Sequence, residues 1–120
     1  MEIILKILIG GIALLHLFFF WMESIAWTTF GRKVFGGKKE FFETTKSLAA
    51  NQGLYNGFLA AGLIWSLWSK NPDLSGPLSH FFLACVAIAG VFGTATVSKK
   101  IFWVQAFPAI LVLILLHLRY

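Results

Sequence analysis

Apolar residues run along this chain in four long segments, separated by shorter polar stretches. None of the segments alternates between apolar and polar positions with a period of two, as a half-buried strand would. Each is close to the roughly 20 residues that a helix needs to cross about 30 Å of hydrocarbon. The pattern therefore predicts an all-α, integral membrane four-helix bundle, formed by one transmembrane domain over residues 1–120. The predicted spans are about 7–27, 48–68, 78–96 and 101–118.

The composition supports this prediction. Of the 120 residues, 58% are hydrophobic and 12% are charged, against roughly 25% charged in a typical soluble domain. A small soluble domain has a large surface for its size, and so few polar side chains are not enough to cover it. The single cysteine, Cys85, excludes an internal disulfide and a cysteine-based metal site. The composition thus favours a membrane protein and excludes a disordered chain and a disulfide scaffold.

The first apolar segment has two interpretations. Lys6 and the sequence Ser24-Ile25-Ala26 fit the charged region and the small-x-small cleavage site of a signal peptide. However, the apolar core is long and aromatic, Glu23 comes directly before the site, and three more spans follow. We therefore expect a retained signal-anchor helix, with cleavage as the alternative.

Charge predicts the partner and the topology. Ten Lys and Arg face five Asp and Glu, a net charge of +5, and the cations lie between the apolar segments. The expected partner is therefore the lipid bilayer with its anionic head groups, and not nucleic acid. Residues 28–47 and the tight loop at Lys99-Lys100 carry seven of the ten cations. The positive-inside bias places both loops in the cytoplasm and both termini outside, in a bacterial inner (plasma) membrane.

The connecting segments differ in character. Glycines break residues 28–39, whereas residues 40–47 are expected to extend the second span as a helix. Residues 69–77 contain two prolines and indicate a turn-rich connection. Pro108 is expected to kink the fourth helix, because it leaves the carbonyl of Val104 without its helical donor.

Polar residues inside the apolar segments are the candidate functional residues, since an ionisable side chain at membrane depth costs several kcal/mol unless it finds a partner. His16 and Glu23 are seven residues apart, so they share one face of the first helix. One hypothesis is that Glu23 titrates a proton or binds a cation. The other is that both residues only make packing hydrogen bonds to Asn or Gln on the second span, or that Glu23 reaches the interface.

The second span carries a polar sequence around a G-x-x-x-G pattern, Gly53 to Gly57, which lets another helix approach closely. Asn51 and Tyr55 share one face of this helix, and Gln52 and Asn56 share another. These side chains either hold helices together or line a polar pocket near the cytoplasmic face. The candidate ligand-binding residues are Glu23, Asn51, Tyr55, Asn56, His16 and Gln52. No catalytic residue is assigned, and the scattered histidines do not have metal-ligand spacing.

Several motifs resemble a bacterial membrane family known as domain of unknown function 1304. They are His16, Glu23, residues 27–29, residues 31–36, residues 49–63, residues 93–96, Lys99-Lys100, Val104-Gln105 and Pro108. They extend over nearly the whole chain. The resemblance implies a four-helix integral membrane protein with no established activity.

The second span is also similar to the second helix of the membrane-associated proteins in eicosanoid and glutathione metabolism. That resemblance implies four spans, a trimer, and glutathione bound near the cytoplasmic face. Asn51 and Tyr55 are the positions that carry over, whereas Leu54 stands where that family has a carboxylate.

Three functions follow as hypotheses. The first is a protein that binds a small amphiphile, a lipid or a partner helix at the polar site, with no cofactor. The second is a glutathione-dependent membrane transferase. The third is a small proton-coupled multidrug-type transporter, because such transporters also have four short helices and a carboxylate in the first span. The sequence favours a binding protein over an enzyme. A homo-oligomer, a trimer or a dimer, is expected because one small bundle leaves little room for an enclosed cavity.

Overall fold

The computed structural model describes residues 2–119, and these residues are helical with short connections and no strand. The prediction of an all-α fold is therefore confirmed. The elements in chain order are α1 (Ile3–Ser24), a π-helical turn (Trp27–Gly31), α2 (Arg32–Phe35), α3 (Lys39–Thr44), α4 (Lys46–Trp68), α5 (Pro72–Thr96), a second π-helical turn (Phe102–Ala106) and α6 (Phe107–Arg119).

Three helical stretches within the described residues are long and apolar enough to cross a membrane. They are Ile3–Ser24, Pro72–Thr96 and Phe102–Arg119, and they correspond to the first, third and fourth predicted spans. These three stretches indicate a membrane protein. Helix α4 has 23 residues, enough to span a bilayer, but it is not one of the three, because its polar first half lowers its mean hydropathy.

The connection between α4 and α5 is shorter than the sequence predicts. Most of residues 69–77, expected to be turn-rich, are helical, because α5 begins at Pro72. The Asn71 side chain caps this helix by accepting a hydrogen bond from the backbone N–H of Asp73 at 3.0 Å. Pro72 fits the first position, where no N–H partner is needed. Only residues 69–71 are left as a connection.

The irregularity expected at Pro108 takes the form of the second π-helical turn. The backbone N–H of Phe107 donates to the carbonyl of Phe102, five residues back. Pro108 has no N–H to give to the carbonyl of Val104, so the regular α-helical ladder is interrupted at this point. A π-helical turn is one of the known ways in which a helix accommodates such an interruption.

The chain divides into two compact units, the first made of Met1–Ala13 and Ala61–Tyr120. In this unit Gly90 of α5 lies directly against the second π-helical turn. A Cβ atom added at Gly90 would come within 2.5 Å of the backbone nitrogen of Ala106. The two backbones are therefore in contact, and Gly90 and Ala106 are both buried there.

The second unit is Leu14–Ala60, and it holds the C-terminal half of α1 beside the N-terminal half of α4. A Cβ atom added at Gly53 would lie 2.9 Å from the backbone nitrogen of Ser24, and one at Gly57 would lie 3.3 Å from the ring of Phe20. The close helix approach predicted from the G-x-x-x-G pattern is therefore confirmed. Every candidate ligand-binding residue lies in this unit.

Candidate functional site

The site is centred on Glu23, in the last turn of α1, which is buried with 8% of its surface exposed. Its carboxylate accepts two hydrogen bonds from α4. Asn56 Nδ2 donates to Oε1 at 2.6 Å, and Gln52 Nε2 donates to Oε2 at 2.6 Å. Each carboxylate oxygen thus has one amide donor, and together the three side chains form the polar cluster.

The sequence of α4 explains how these groups meet. Gln52 and Asn56 are four residues apart, so their side chains project from the same face of the helix. Gly53 lies between them, and its missing side chain lets the backbone of α1 come close enough for a short asparagine to reach Glu23. In the described part of the chain, neither Lys nor Arg pairs with this carboxylate. Its partners on α4 are neutral amides.

Ser24 adds a third polar link between the same two helices. Its hydroxyl donates to the backbone carbonyl of Ala50 at 2.8 Å. The sequence assigned Ser24 only to a possible cleavage site, and its structural role was missed. Its partner is a backbone carbonyl, which no pattern of side chains reveals.

Asn51 and Tyr55 lie away from the polar cluster. Both residues are exposed, Tyr55 with 62% of its surface, and the Tyr55 ring lies 6.2 Å from that of Phe58 on the same helix. Of the two faces that the spacing allowed, the structure therefore directs Gln52 and Asn56 toward Glu23, and leaves Asn51 and Tyr55 on the surface. A ligand-binding role for Asn51 and Tyr55 stays a prediction.

His16 is completely buried, two helical turns before Glu23 on α1. Its ring meets the ring of Phe19 edge to face, with 5.2 Å between the centroids. A rise of 1.5 Å per residue separates His16 from Glu23 by about 10 Å along the helix axis. His16 therefore lies deeper along α1 than Glu23, and a ligand-binding role for His16 stays a prediction.

Groups suited to metal binding do not assemble within residues 2–119, where no three His, Cys, Asp or Glu side chains come together. In the first unit, the rings of His80 and His117 lie 6.5 Å apart, and His80 Nδ1 is 2.9 Å from the carbonyl of Gly76. A pair of rings is too few for a complete ligand set. The polar cluster contains one carboxylate and two amides, whose oxygens are suited to accepting hydrogen bonds from a ligand.

Comparison with known proteins identifies relatives along almost the entire chain. The family described as "Protein of unknown function (DUF1304)" matches residues 10–117, which include all of the polar cluster. The uncharacterized protein YpaA of Lactococcus lactis subsp. lactis (strain IL1403) is 31% identical over 117 residues, covering 95% of this chain and 94% of that protein. No solved structure matches the chain significantly.

Proposed function

The chain belongs to the DUF1304 family of proteins of unknown function, and we propose that it is an integral membrane protein that binds the polar head of a small amphiphile or lipid at Glu23, Gln52 and Asn56. The observation that carries this proposal is a buried carboxylate whose partners on α4 are two neutral amides. Ionisable groups inside membrane proteins are rare and usually mark a ligand or ion site. This supports a role for the site beyond joining two helices.

The hydrogen-bonding capacity of the carboxylate supports ligand binding. A carboxylate has about four acceptor positions, and the amides occupy two of them. An ammonium or hydroxyl head group would donate to the remaining lone pairs. Gln52 is exposed while Asn56 is buried, so a ligand enters from the Gln52 side, where the long amide side chain can move aside.

The membrane arrangement is part of the proposal. Helix α4 serves as a fourth span. Its lower hydropathy comes from the polar residues of its first half, of which Gln52 and Asn56 are turned toward Glu23. With four spans, residues 28–47 and the Lys99-Lys100 loop face the cytoplasm and both termini lie outside. The seven cations of these two loops support this orientation, in a bacterial inner membrane.

A graded set of single-chain amphiphiles tests the binding proposal. Dodecylammonium carries charge and donors, dodecyltrimethylammonium carries charge alone, and dodecanol carries one hydroxyl. Dodecylammonium should raise the melting temperature of the full chain in neutral detergent micelles the most. Glu23→Gln should abolish that shift and leave the response to dodecanol small. Equal shifts in wild type and Glu23→Gln would refute the site.

A partner helix is the second candidate, and the surface of α4 favours a second copy of this chain. Leu48, Asn51, Tyr55 and Phe58 are exposed, and their spacing of three, four and three residues places them along one stripe of the helix. An amide carries both donor and acceptor, so Asn51 can pair with Asn51 of another copy. The proposed assembly is a homo-oligomer, a dimer or a trimer, built on this stripe.

The other two hypotheses have less support. A proton-coupled exporter would use Glu23 in the same way, and Glu23-dependent currents in proteoliposomes would distinguish it from a binding protein. For a glutathione-dependent transferase, Asn51 and Tyr55 would act together, but they lie apart from the polar cluster. Where that family has a thiolate-activating arginine near the fourth helix, this chain offers only Lys99 and Lys100. We therefore propose a binding protein without a cofactor.

A further inference from the structure

The segment that joins α1 to α4, residues 27–45, is a folded element in its own right, which we name the basic hairpin. Gly36 and Gly37 adopt positive φ angles of 71° and 114°, a conformation that glycine allows at low cost, and here the chain reverses. The Arg32 side chain ties the reversal together, because its Nε donates to the carbonyl of Gly37 at 3.3 Å.

An aromatic anchor fixes the two ends of the basic hairpin. The ring of Trp27 lies 5.0 Å from that of Phe42 and 5.7 Å from that of Phe35. Its indole Nε1 donates to the hydroxyl of Thr45 at 3.0 Å. The ring of Phe42 is buried almost completely. The basic hairpin therefore holds its shape through its own contacts.

The surface of the basic hairpin combines cations with apolar side chains. Val34, Phe35 and Phe41 each have more than half of their surface exposed. The exposed cations are Arg32, Lys33, Lys38 and Lys39, against two exposed carboxylates, Glu40 and Glu43. In water such a surface leaves large apolar groups unburied, whereas at a membrane interface the rings enter the acyl boundary and the cations stay at head-group level.

We propose that the basic hairpin is a docking surface for anionic phospholipid head groups. Charge complementarity is the first argument, since four cations within eight residues attract a negatively charged leaflet. Continuity is the second, because the hairpin begins three residues after Ser24, where a stretch able to span the membrane ends. This surface is separate from the polar cluster, and its function does not depend on Glu23.

The test uses the full-length chain in neutral detergent, titrated with phosphatidylglycerol or with phosphatidylcholine of the same acyl chains. Phosphatidylglycerol should raise the melting temperature, and phosphatidylcholine should not. The variant Lys38→Gln/Lys39→Gln should require about thirtyfold more phosphatidylglycerol for the same shift, since each lysine near the surface contributes about 1 kcal/mol. Both lysines are exposed, so its melting temperature without lipid should match wild type.

The matched control is Lys99→Gln/Lys100→Gln, which removes the same charge outside the basic hairpin and should respond like wild type. If both variants lose the response equally, attraction depends only on net charge and the proposal is wrong. If soluble glycerol 1-phosphate reproduces the shift, the hairpin binds free phosphate rather than a lipid surface. If phosphatidylglycerol produces no change in melting temperature, the proposal is wrong, and an acidic protein becomes the candidate partner of the basic hairpin.

Discussion

The Glu23 carboxylate and the Asn56 amide meet across the α1–α4 contact at 2.6 Å, and both residues are at least nine-tenths buried. The free energy lost when one partner of such a pair is removed differs from the free energy that the intact pair contributes. While both partners are present, each satisfies the other's desolvated group. Removing one leaves the other with a buried polar group that has lost its partner, which costs more than the intact hydrogen bond contributes.

Asn56→Ala should therefore lower the free energy of unfolding by about 1–3 kcal/mol. Asn51→Ala is the matched control, because Asn51 is an exposed asparagine on the same helix, and in the monomeric chain its replacement should stay within about 0.5 kcal/mol. Unfolding of the purified chain in mixed micelles measures both. Equal losses would show that the hydrogen bond to Glu23 does not distinguish the two sites.

Glu23→Gln should destabilise the chain less in an Asn56→Ala background than alone, because the two residues are direct partners. Contacting polar residues give interaction energies of about 0.5–3 kcal/mol in double-mutant cycles. The cycle uses the same unfolding assay on the two single variants and the double variant. Strict additivity would mean that the two side chains do not interact in the membrane-mimetic environment.

Gly53→Ala should destabilise the α1–α4 contact by about 1–3 kcal/mol, since the added methyl would lie 2.9 Å from the Ser24 backbone nitrogen and 3.0 Å from the Glu23 Cβ. Gly11→Ala is the control, because nothing lies within 4 Å of the added Cβ there. That change should be neutral or stabilise α1 by up to about 1 kcal/mol. If Gly11→Ala lowers the free energy of unfolding as much as Gly53→Ala does, the close approach of α1 and α4 at Gly53 is contradicted.

The sequence was enough to predict the helices and the close approach, for physical reasons that individual residues show. The long apolar segments have only one low-energy form in a membrane, the helix. Gly53 and Gly57, four residues apart, place two small surfaces on one face of α4, so the contact with another helix could be read from spacing alone. The same reasoning correctly grouped Gln52 with Asn56, and Asn51 with Tyr55.

A hydrogen bond between Glu23 and an Asn or Gln of the second span is one of the alternatives that the sequence offers, and the structure contains it. Which of the amides would make it could not be predicted. Spacing defines which side chains share a face of α4, but not which face turns toward α1. The candidate ligand-binding residues therefore include the exposed Asn51 and Tyr55 as well as the buried Asn56. The helical start at Pro72 was missed because Asn-Pro-Asp is typical of turns as well as of N-caps. In the folded chain the Asn71 side chain caps α5, so the segment is a helix start there and not a turn. The sequence alone is compatible with both.

Thr45→Val should loosen the basic hairpin while keeping its shape, because it removes the hydroxyl that accepts from Trp27 and donates to the Phe41 carbonyl. The expected cost is about 1 kcal/mol, with faster hydrogen exchange in α3. Thr44→Val is the control, since the Thr44 hydroxyl bonds only to the Glu40 carbonyl of its own helix. If exchange in α3 is the same in both variants, the Trp27–Thr45 contact does not hold the hairpin together.

Self-association through the exposed stripe of α4 predicts disulfide crosslinking between copies. With Cys85→Ser removing the single native thiol, Tyr55→Cys should give a disulfide-linked dimer when membranes that contain the protein are treated with mild oxidant. Leu14→Cys is the control, because Leu14 of α1 is exposed to a similar extent, 68% against 62%, but lies on another helix.

Adding Asn51→Leu to the Tyr55→Cys protein should weaken the crosslink, because leucine cannot form the hydrogen bond that an amide makes with its counterpart in the other copy. Random collision in the membrane would link Tyr55→Cys and Leu14→Cys to the same extent and would be insensitive to residue 51. That outcome would contradict the stripe as an interface. A crosslink specific to Tyr55→Cys and dependent on Asn51 requires the α4 helices of two copies to lie side by side.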